Sequence, residues 1–254
     1  LDTLAQSIFL DMFGDPASNP KKWPQVTIRD ILESASYGTS EKSALIGTFP
    51  VLRMNNITST GGMDLTDLKY MDLPPSLHDR YLVKRGDVLF NRTNSSELVG
   101  KTAIYRRSEQ MAYAGYLVRL RVNDFSDPEY LAAYLNTSYS KKVLRGMGKS
   151  IIGMANINAS EIQKMSIPKP PLPLQQTFAR RIEAIESLKE RHRASSKLDA
   201  LFASLQHRAF RGLSHGRSDY CRHTHQQLNA NPALKDQFLD GLAKPRVALL
   251  GQRA

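Results

Sequence analysis

Asn91, Arg92, Thr93, Asn94 and Ser95 stand in one run, and their side chains carry fixed pairs of hydrogen-bond donors and acceptors. Such groups suit the edges of nucleic-acid bases: Arg against guanine, Asn against adenine, Ser or Thr against either. Two other stretches concentrate the same types. Tyr37, Thr39, Ser40 and Lys42 surround Gly38, whose missing side chain would let the backbone approach a phosphate, and Arg53, Asn55 and Asn56 close an apolar run. Lys101 follows the first run closely. Asn and Ser also cap ordinary turns, so each loop has a structural explanation beside the recognition one. Arg92 departs from it, because a turn has no need of Arg.

Lys141, Lys142, Arg145 and Lys149 add four positive charges within nine residues, followed by Ser150. Cations offset the negative end of a helix, but four exceed what a cap needs, and phosphate contact is expected. Catalytic patterns are missing by contrast. A methyltransferase that extrudes an adenine would place Asn or Asp before a Pro-Pro pair and an aromatic after it; Leu73-Pro74-Pro75-Ser76 and Lys169-Pro170-Pro171-Leu172 have neither. Gly148-Lys149-Ser150 ends like a P-loop, yet Val143 stands where the first Gly belongs. Cys221, His223 and His225 lack a fourth ligand at tetrahedral spacing, so no metal is expected. Asn91-Arg92-Thr93 matches a glycosylation signal that matters only on a secreted chain. What remains is binding.

The elements that must carry these loops follow from composition and pattern. In 254 residues, 41% hydrophobic and 23% charged, a real core is expected. The 35 Lys and Arg outnumber the 24 Asp and Glu, giving +11 and a pI near 9.8, and the excess is spread along the chain rather than held in a tail. A basic surface with an anionic partner is therefore expected. The single cysteine and the lack of a long apolar run point to a cytoplasmic chain without a membrane partner. Leu1 falls inside an apolar helical pattern, so a beginning is expected to be missing.

Residues 1–13 read as the end of a helix, stopped by the Gly- and Pro-rich stretch from Gly14 to Pro24. From Trp23 to Pro170, short runs rich in β-branched and aromatic residues (26–32, 49–54, 87–90, 101–106, 116–122) read as strands, and 130–147 as one helix. The order does not alternate, so the class is α+β with a curved mixed sheet and packed helices. Ile167–Gln176 is dense in proline and reads as a stiff connector. Beyond it, a helix over about 174–212 places Phe178, Ile182, Ile185, Leu188, Leu198, Leu201 and Leu205 on a stripe suited to coiled-coil pairing with a partner helix. Leu1, Asp2, Leu4, Ser7 and Phe13 recur as Leu198, Asp199, Leu201, Ser204 and Phe210, as if a unit of body plus long helix were repeated.

With these stretches in order, the chain resembles the specificity subunit of type I restriction-modification systems. The likeness covers about 1–213 and rests on Trp23–Ile31, Tyr37–Lys42, Phe49–Ile57, Lys84–Tyr105, Ile157–Gln176 and the long helix. It implies a non-catalytic subunit whose target recognition domain reads one half of a bipartite double-stranded DNA target. The resemblance further implies that this subunit directs an adenine-N6 methyltransferase and a restriction endonuclease. S-adenosylmethionine, Mg and ATP would belong to the partner subunits, with no cofactor in this chain. On this basis 1–15 is expected to end a preceding conserved helix, 16–170 to be the recognition domain, 171–213 a spacer and dimerisation helix, and 214–254 a divergent tail. The implied DNA-binding set is Tyr37, Thr39, Ser40, Lys42, Arg53, Asn55, Asn91, Arg92, Thr93, Asn94, Lys101, Lys141, Lys142, Arg145 and Lys149. Phe178, Ile182, Ile185, Leu198, Leu201 and Leu205 would meet a partner, either the methyltransferase, a second copy or a missing half. Members usually carry two recognition domains and two helices, where this sequence has one domain, one helix and a stub. An alternative is therefore a truncated remnant that docks the methyltransferase without reading DNA.

Overall fold

Phe9, Met12 and Phe13 lie three and four residues apart, which gives helix α1 (Asp2–Phe13) one strongly apolar face. Gly14 ends it at a φ of +84°, its N–H still bonded to the Leu10 carbonyl at 2.8 Å, a left-handed stop that suits glycine. The computed structural model describes residues 2–95, 98, 100–147, 149–151 and 154–213. Cys221, His223, His225 and the expected tail fall outside them.

In chain order the next elements are β1 (Gln25–Thr27), β2 (Leu32–Tyr37), β3 (Phe49–Leu52), β4 (Lys69–Met71), the single turn α2 (His78–Tyr81) and β5 (Leu82–Val83). They are followed by β6 (Val88–Asn91), β7 (Thr93–Ser95), β8 (Thr102–Ile104), β9 (Met111–Tyr113) and β10 (Leu117–Val122). Then come α3 (Pro128–Leu135), α4 (Ser138–Met147), β11 (Lys149–Ile151), β12 (Met154–Asn156), α5 (Ala159–Gln163), β13 (Ser166–Pro168) and α6 (Leu172–Leu213). The class is α+β, as the sequence implies, but among the described residues the strands divide among four small sheets. Antiparallel β2-β10-β6-β8 forms the centre, β4-β3-β9-β5 is mixed through the parallel pair β3 and β9, and β11-β12-β7 and β1-β13 are antiparallel.

Two compact units divide the chain, Leu1–Lys189 and Glu190–Ala254. The first holds every sheet among the described residues. Its main core joins α1, the central sheet, α3 and the opening turns of α6, and four rings anchor it: Phe9, Phe13, Tyr130 and Phe178, with centroids 4.8 to 5.8 Å apart. Ile182 and Ile185 are buried in the same cluster. This corrects the expectation that Phe178, Ile182 and Ile185 wait for a partner: α1 and α3 already cover them. Of the second unit, the described residues continue α6, where Leu198, Leu201, Phe202 and Leu205 are all more than half exposed.

Local chemistry explains where the sequence pattern misplaces boundaries. The single helix expected over 130–147 breaks at Asn136 and Thr137, whose side chains bond to backbone and compete with the helix. Asn136 Nδ2 donates to the Thr102 carbonyl at 2.8 Å, and Thr137 Oγ1 accepts the Ser140 N–H at 3.1 Å to start α4. The proline-rich segment is not a free spacer. Tyr130 donates to the Pro168 carbonyl at 2.5 Å, Lys169 N–H to Pro24 at 2.8 Å, and the buried Gln175 to Pro170 at 2.7 Å. Asp87, 2% exposed, is clasped by Arg121 through bonds of 2.7 and 3.0 Å, which fixes the start of β6 against β10. β6 in turn delivers Asn91 and Arg92.

Candidate nucleic-acid interface

Arg92 is the single residue between β6 and β7, where the chain leaves the central sheet and enters the small one. Its N–H donates to the Tyr116 carbonyl at 3.0 Å and its carbonyl accepts the Ile157 N–H at 2.9 Å, so both sheets hold its backbone. Its guanidinium carbon lies 4.9 Å from the centre of the Tyr37 ring, an arginine-on-aromatic contact. The Nε is buried without a hydrogen-bond partner among the described residues. Tyr37 is 42% exposed at the end of β2, and its phenol oxygen accepts the Ala159 N–H at 2.9 Å, satisfying a donor that the first residue of α5 cannot spend inside its own helix.

Beyond Arg92 the small sheet sets Thr93 opposite Asn156, and Asn156 opposite Lys149. Thr93 Oγ1 donates to Asn156 Oδ1 at 3.2 Å, and Asn156 is exposed. Asn94 pairs in register with Ala155, and Ala155 with Ser150. Two stretches that lie more than fifty residues apart thus share one ribbon, and Lys149 belongs in register with the Asn91–Ser95 run rather than on the α4 helix. Asn156 carries no signal of its own in the sequence. Only its pairing with Thr93 reveals it.

Three cations cluster around Gly100, whose N–H donates to the Asn91 carbonyl at 2.9 Å. Lys101 Nζ donates to the Met54 carbonyl at 3.0 Å, Lys141 Nζ to the Gly100 carbonyl at 2.5 Å, and Arg145 Nε to the Lys141 carbonyl at 3.2 Å. No carboxylate forms an ion pair with any of them among the described residues. Burial pushes the Lys141 ammonium down to about 8, with Lys101 and Arg145 acting in the same direction, and burial also lowers Lys101. Lys142 is exposed one residue further on. Unneutralised positive charge of this kind is what a phosphate offsets.

The other candidates separate by burial. Thr39 is 3% exposed and its hydroxyl accepts the Glu41 N–H at 3.1 Å, while Ser40 and Lys42 are exposed. The space beside Gly38 is filled by the chain itself, since a Cβ there would meet the Tyr113 carbonyl at 2.3 Å. Glycine is required for that packing, not for a phosphate. Arg53 is tied to Asp67 at 2.9 Å, Asn55 reaches the same carboxylate at 3.2 Å, and the buried Asn56 fastens the loop through the Asp64 and Asp67 carbonyls. Asn91 is fully buried, and neither atom of its amide finds a partner among the described residues.

Polar hydrogen-bonding side chains and clustered cations on an α+β body are the features that nucleic-acid-binding modules use. Residues 20–196 match the type I restriction modification DNA specificity domain, and the chain belongs to that family. It is 30% identical over 174 residues to the putative type I restriction enzyme MjaX specificity subunit of Methanocaldococcus jannaschii, covering 66% of this chain and 40% of that protein. It is 25% identical to the EcoKI specificity subunit of Escherichia coli K12, covering 74% and 42%. Among solved structures, the HsdS subunit from Thermoanaerobacter tengcongensis superposes with a TM-score of 0.50 at 22% identity, over 73% of this chain and 43% of that one. A subunit from a structure of type I R-M complex assembly and conformational transition gives 0.52 at 19%, over 80% and 48%. These two likenesses support the fold. The chain spans less than half the length of the relatives it matches.

Proposed function

We propose that the chain is a non-catalytic DNA-reading subunit of a type I restriction-modification complex that recognises one half of a bipartite target. Arg92 carries this reading. Its backbone is bonded on both sides, to Tyr116 and Ile157, its guanidinium rests on the Tyr37 ring, and its chain neighbours are Thr93 of the ribbon and Asn91, whose carbonyl accepts the N–H of Gly100 in the cation cluster. In this assignment Arg92, Thr93 and Asn156 face base edges, and Lys101, Lys141, Lys142 and Arg145 face phosphates, while Asn94 and Lys149 join the set through their register in the ribbon. Ser40 and Lys42 stay in the set as exposed polar residues. Thr39 and Asn91 drop from the contact set because they are buried, and Arg53 and Asn55 because Asp67 already engages them.

Residues 16–170 then serve as the recognition domain and α6 as the spacer, docking a methyltransferase subunit that supplies S-adenosylmethionine chemistry, with Mg and ATP used by restriction subunits, all in the cytoplasm. The exposed Leu198, Leu201, Phe202 and Leu205 would pair with a helix of a second copy or of a companion half. A remnant that only docked a partner would have no use for the three unneutralised cations. Binding of the full chain to duplex DNA, titrated against salt, tests this function. Affinity should fall steeply with salt, and the Lys141→Ala, Lys142→Ala, Arg145→Ala triple variant should flatten the slope by about three, one for each phosphate that no longer meets a cation. Unaltered affinity and slope in the triple variant remove these residues from the interface.

A further inference from the structure

Tyr37 is an odd residue to leave 42% exposed at the end of a strand, and two contacts give it work to do. Its ring face meets the Arg92 guanidinium at 4.9 Å, and its hydroxyl accepts the Ala159 N–H at 2.9 Å. We propose that Tyr37 is a positioning residue for Arg92: a shelf for the guanidinium, fixed by its bond to the start of α5, rather than a DNA contact itself. The inference rests on the DNA-reading function proposed above.

Arg has a long side chain, and ordering a free one on binding costs rotamer entropy. A guanidinium already lying on a ring meets that cost during folding, so its fork is held in one arrangement before DNA arrives. Here the backbone of Arg92 is bonded on both sides, to Tyr116 and Ile157, which leaves the side-chain torsions as the remaining freedom. Tyr37 and Phe90 both stand opposite Val118 from either side of β10, so the shelf and the strand leading to Arg92 share one rigid sheet. The Ala159 bond ties the same ring to the chain just after Asn156, so shelf, arginine and ribbon move as one piece. Positioning of this kind raises discrimination between sequences. It leaves the sequence-independent phosphate attraction alone, because Tyr37 bears no charge.

The test compares Tyr37→Leu, Tyr37→Phe and Arg92→Ala in the full chain by two measurements. In the free protein, the Nε–H resonance of Arg92, assigned by its loss in Arg92→Ala, should be displaced by the ring current of Tyr37. Tyr37→Leu should remove that displacement and Tyr37→Phe should keep most of it. In binding to duplex DNA carrying the half-site found by sequencing methylated adenines, Tyr37→Leu should reduce the preference over random duplex about threefold to tenfold. Affinity for random DNA should not change, and Tyr37→Leu should add nothing in an Arg92→Ala background. Equal losses on both duplexes, or losses that add to those of Arg92→Ala, would show Tyr37 touching DNA directly and overturn the proposal. An Arg92 resonance indifferent to Tyr37→Leu would overturn it as well. A wild-type chain without sequence preference refutes the DNA-reading function instead, and the free-protein resonance still decides whether the shelf exists.

Discussion

In the proposed function, Arg92 and Lys141 make different demands on DNA. Arg92 offers a fork of donors held in place, so its loss should be felt where the base edge matches: Arg92→Ala is expected to cost about 1 to 3 kcal/mol on the cognate half-site and little on random duplex. Competition binding with the two duplexes measures the difference, and an equal loss on both makes Arg92 a phosphate contact. Lys141 offers only charge, and that charge is conditional, because burial and the neighbouring Lys101 and Arg145 bring its ammonium down to about 8. Below that pH it is charged in the folded chain; above it the folded chain releases a proton that the unfolded chain keeps until near its usual 10.5. Folding stability should therefore rise between about pH 8 and 10.5, while DNA affinity falls as pH rises through 8. Lys141→Arg, charged throughout, should remove most of that fall between about pH 7 and 9, and an identical pH profile in the variant excludes Lys141 as its source. Arg92 stands out by residue type alone, since no turn calls for it, and it lies between β6 and β7. The burial of Thr39 and Asn91 was not, because it is decided by which strands pair, and the same pairing hides Asn156 from any reading of its neighbours.

At the scale of elements, periodicity found what is long and local chemistry decided what is short. α6 runs as one helix over the whole expected length, although the polar stretch Lys189–Lys197 interrupts the three- and four-residue apolar spacing between Leu188 and Leu198. The expected helix over 130–147 broke where Asn136 and Thr137 bond to backbone, a competition that apolar spacing cannot register. Likewise the proline-rich segment reads as a spacer because proline forbids regular structure, yet Tyr130, Pro24 and Gln175 bind its backbone from three directions. The consequence is that the start of α6 is part of the first compact unit. Phe178, fully buried against Phe9, Phe13 and Tyr130, is the side chain on which that union turns. Phe178→Ala is expected to cost about 3 to 5 kcal/mol, read as a lowered denaturant midpoint of the first unit. DNA affinity in the absence of denaturant should persist, since none of the proposed contacts touches that cluster. A midpoint unmoved by the substitution would mean α1 and α6 are held by something other than this core.

For the whole molecule, the same stripe on α6 has two fates. Its first part, Phe178, Ile182 and Ile185, is spent inside the body, whereas Leu198, Leu201, Phe202 and Leu205 are 67, 57, 62 and 53% exposed. Each large apolar side chain gains about 1.5 to 3 kcal/mol on full burial, so four on one helix are strong grounds for a partner. An antiparallel partner helix fits their spacing, and the recurrence of Leu1, Asp2, Leu4, Ser7 and Phe13 at Leu198, Asp199, Leu201, Ser204 and Phe210 matches a helix of this kind used more than once. We expect the chain alone to self-associate as concentration rises. Leu201→Asp with Leu205→Asp should abolish that association and the docking of the methyltransferase subunit, because two buried carboxylates would have no counter-charge in an apolar seam. The central sheet should be untouched, so near-ultraviolet dichroism and binding to random duplex at matched protein concentration should equal those of the wild type. Sedimentation velocity over a hundredfold concentration range, paired with hydrogen exchange across 190–205, checks the expectation. A wild-type chain that stays monomeric throughout, with those amides protected from exchange, would show that the stripe needs no partner and that the spacer role belongs elsewhere in the chain.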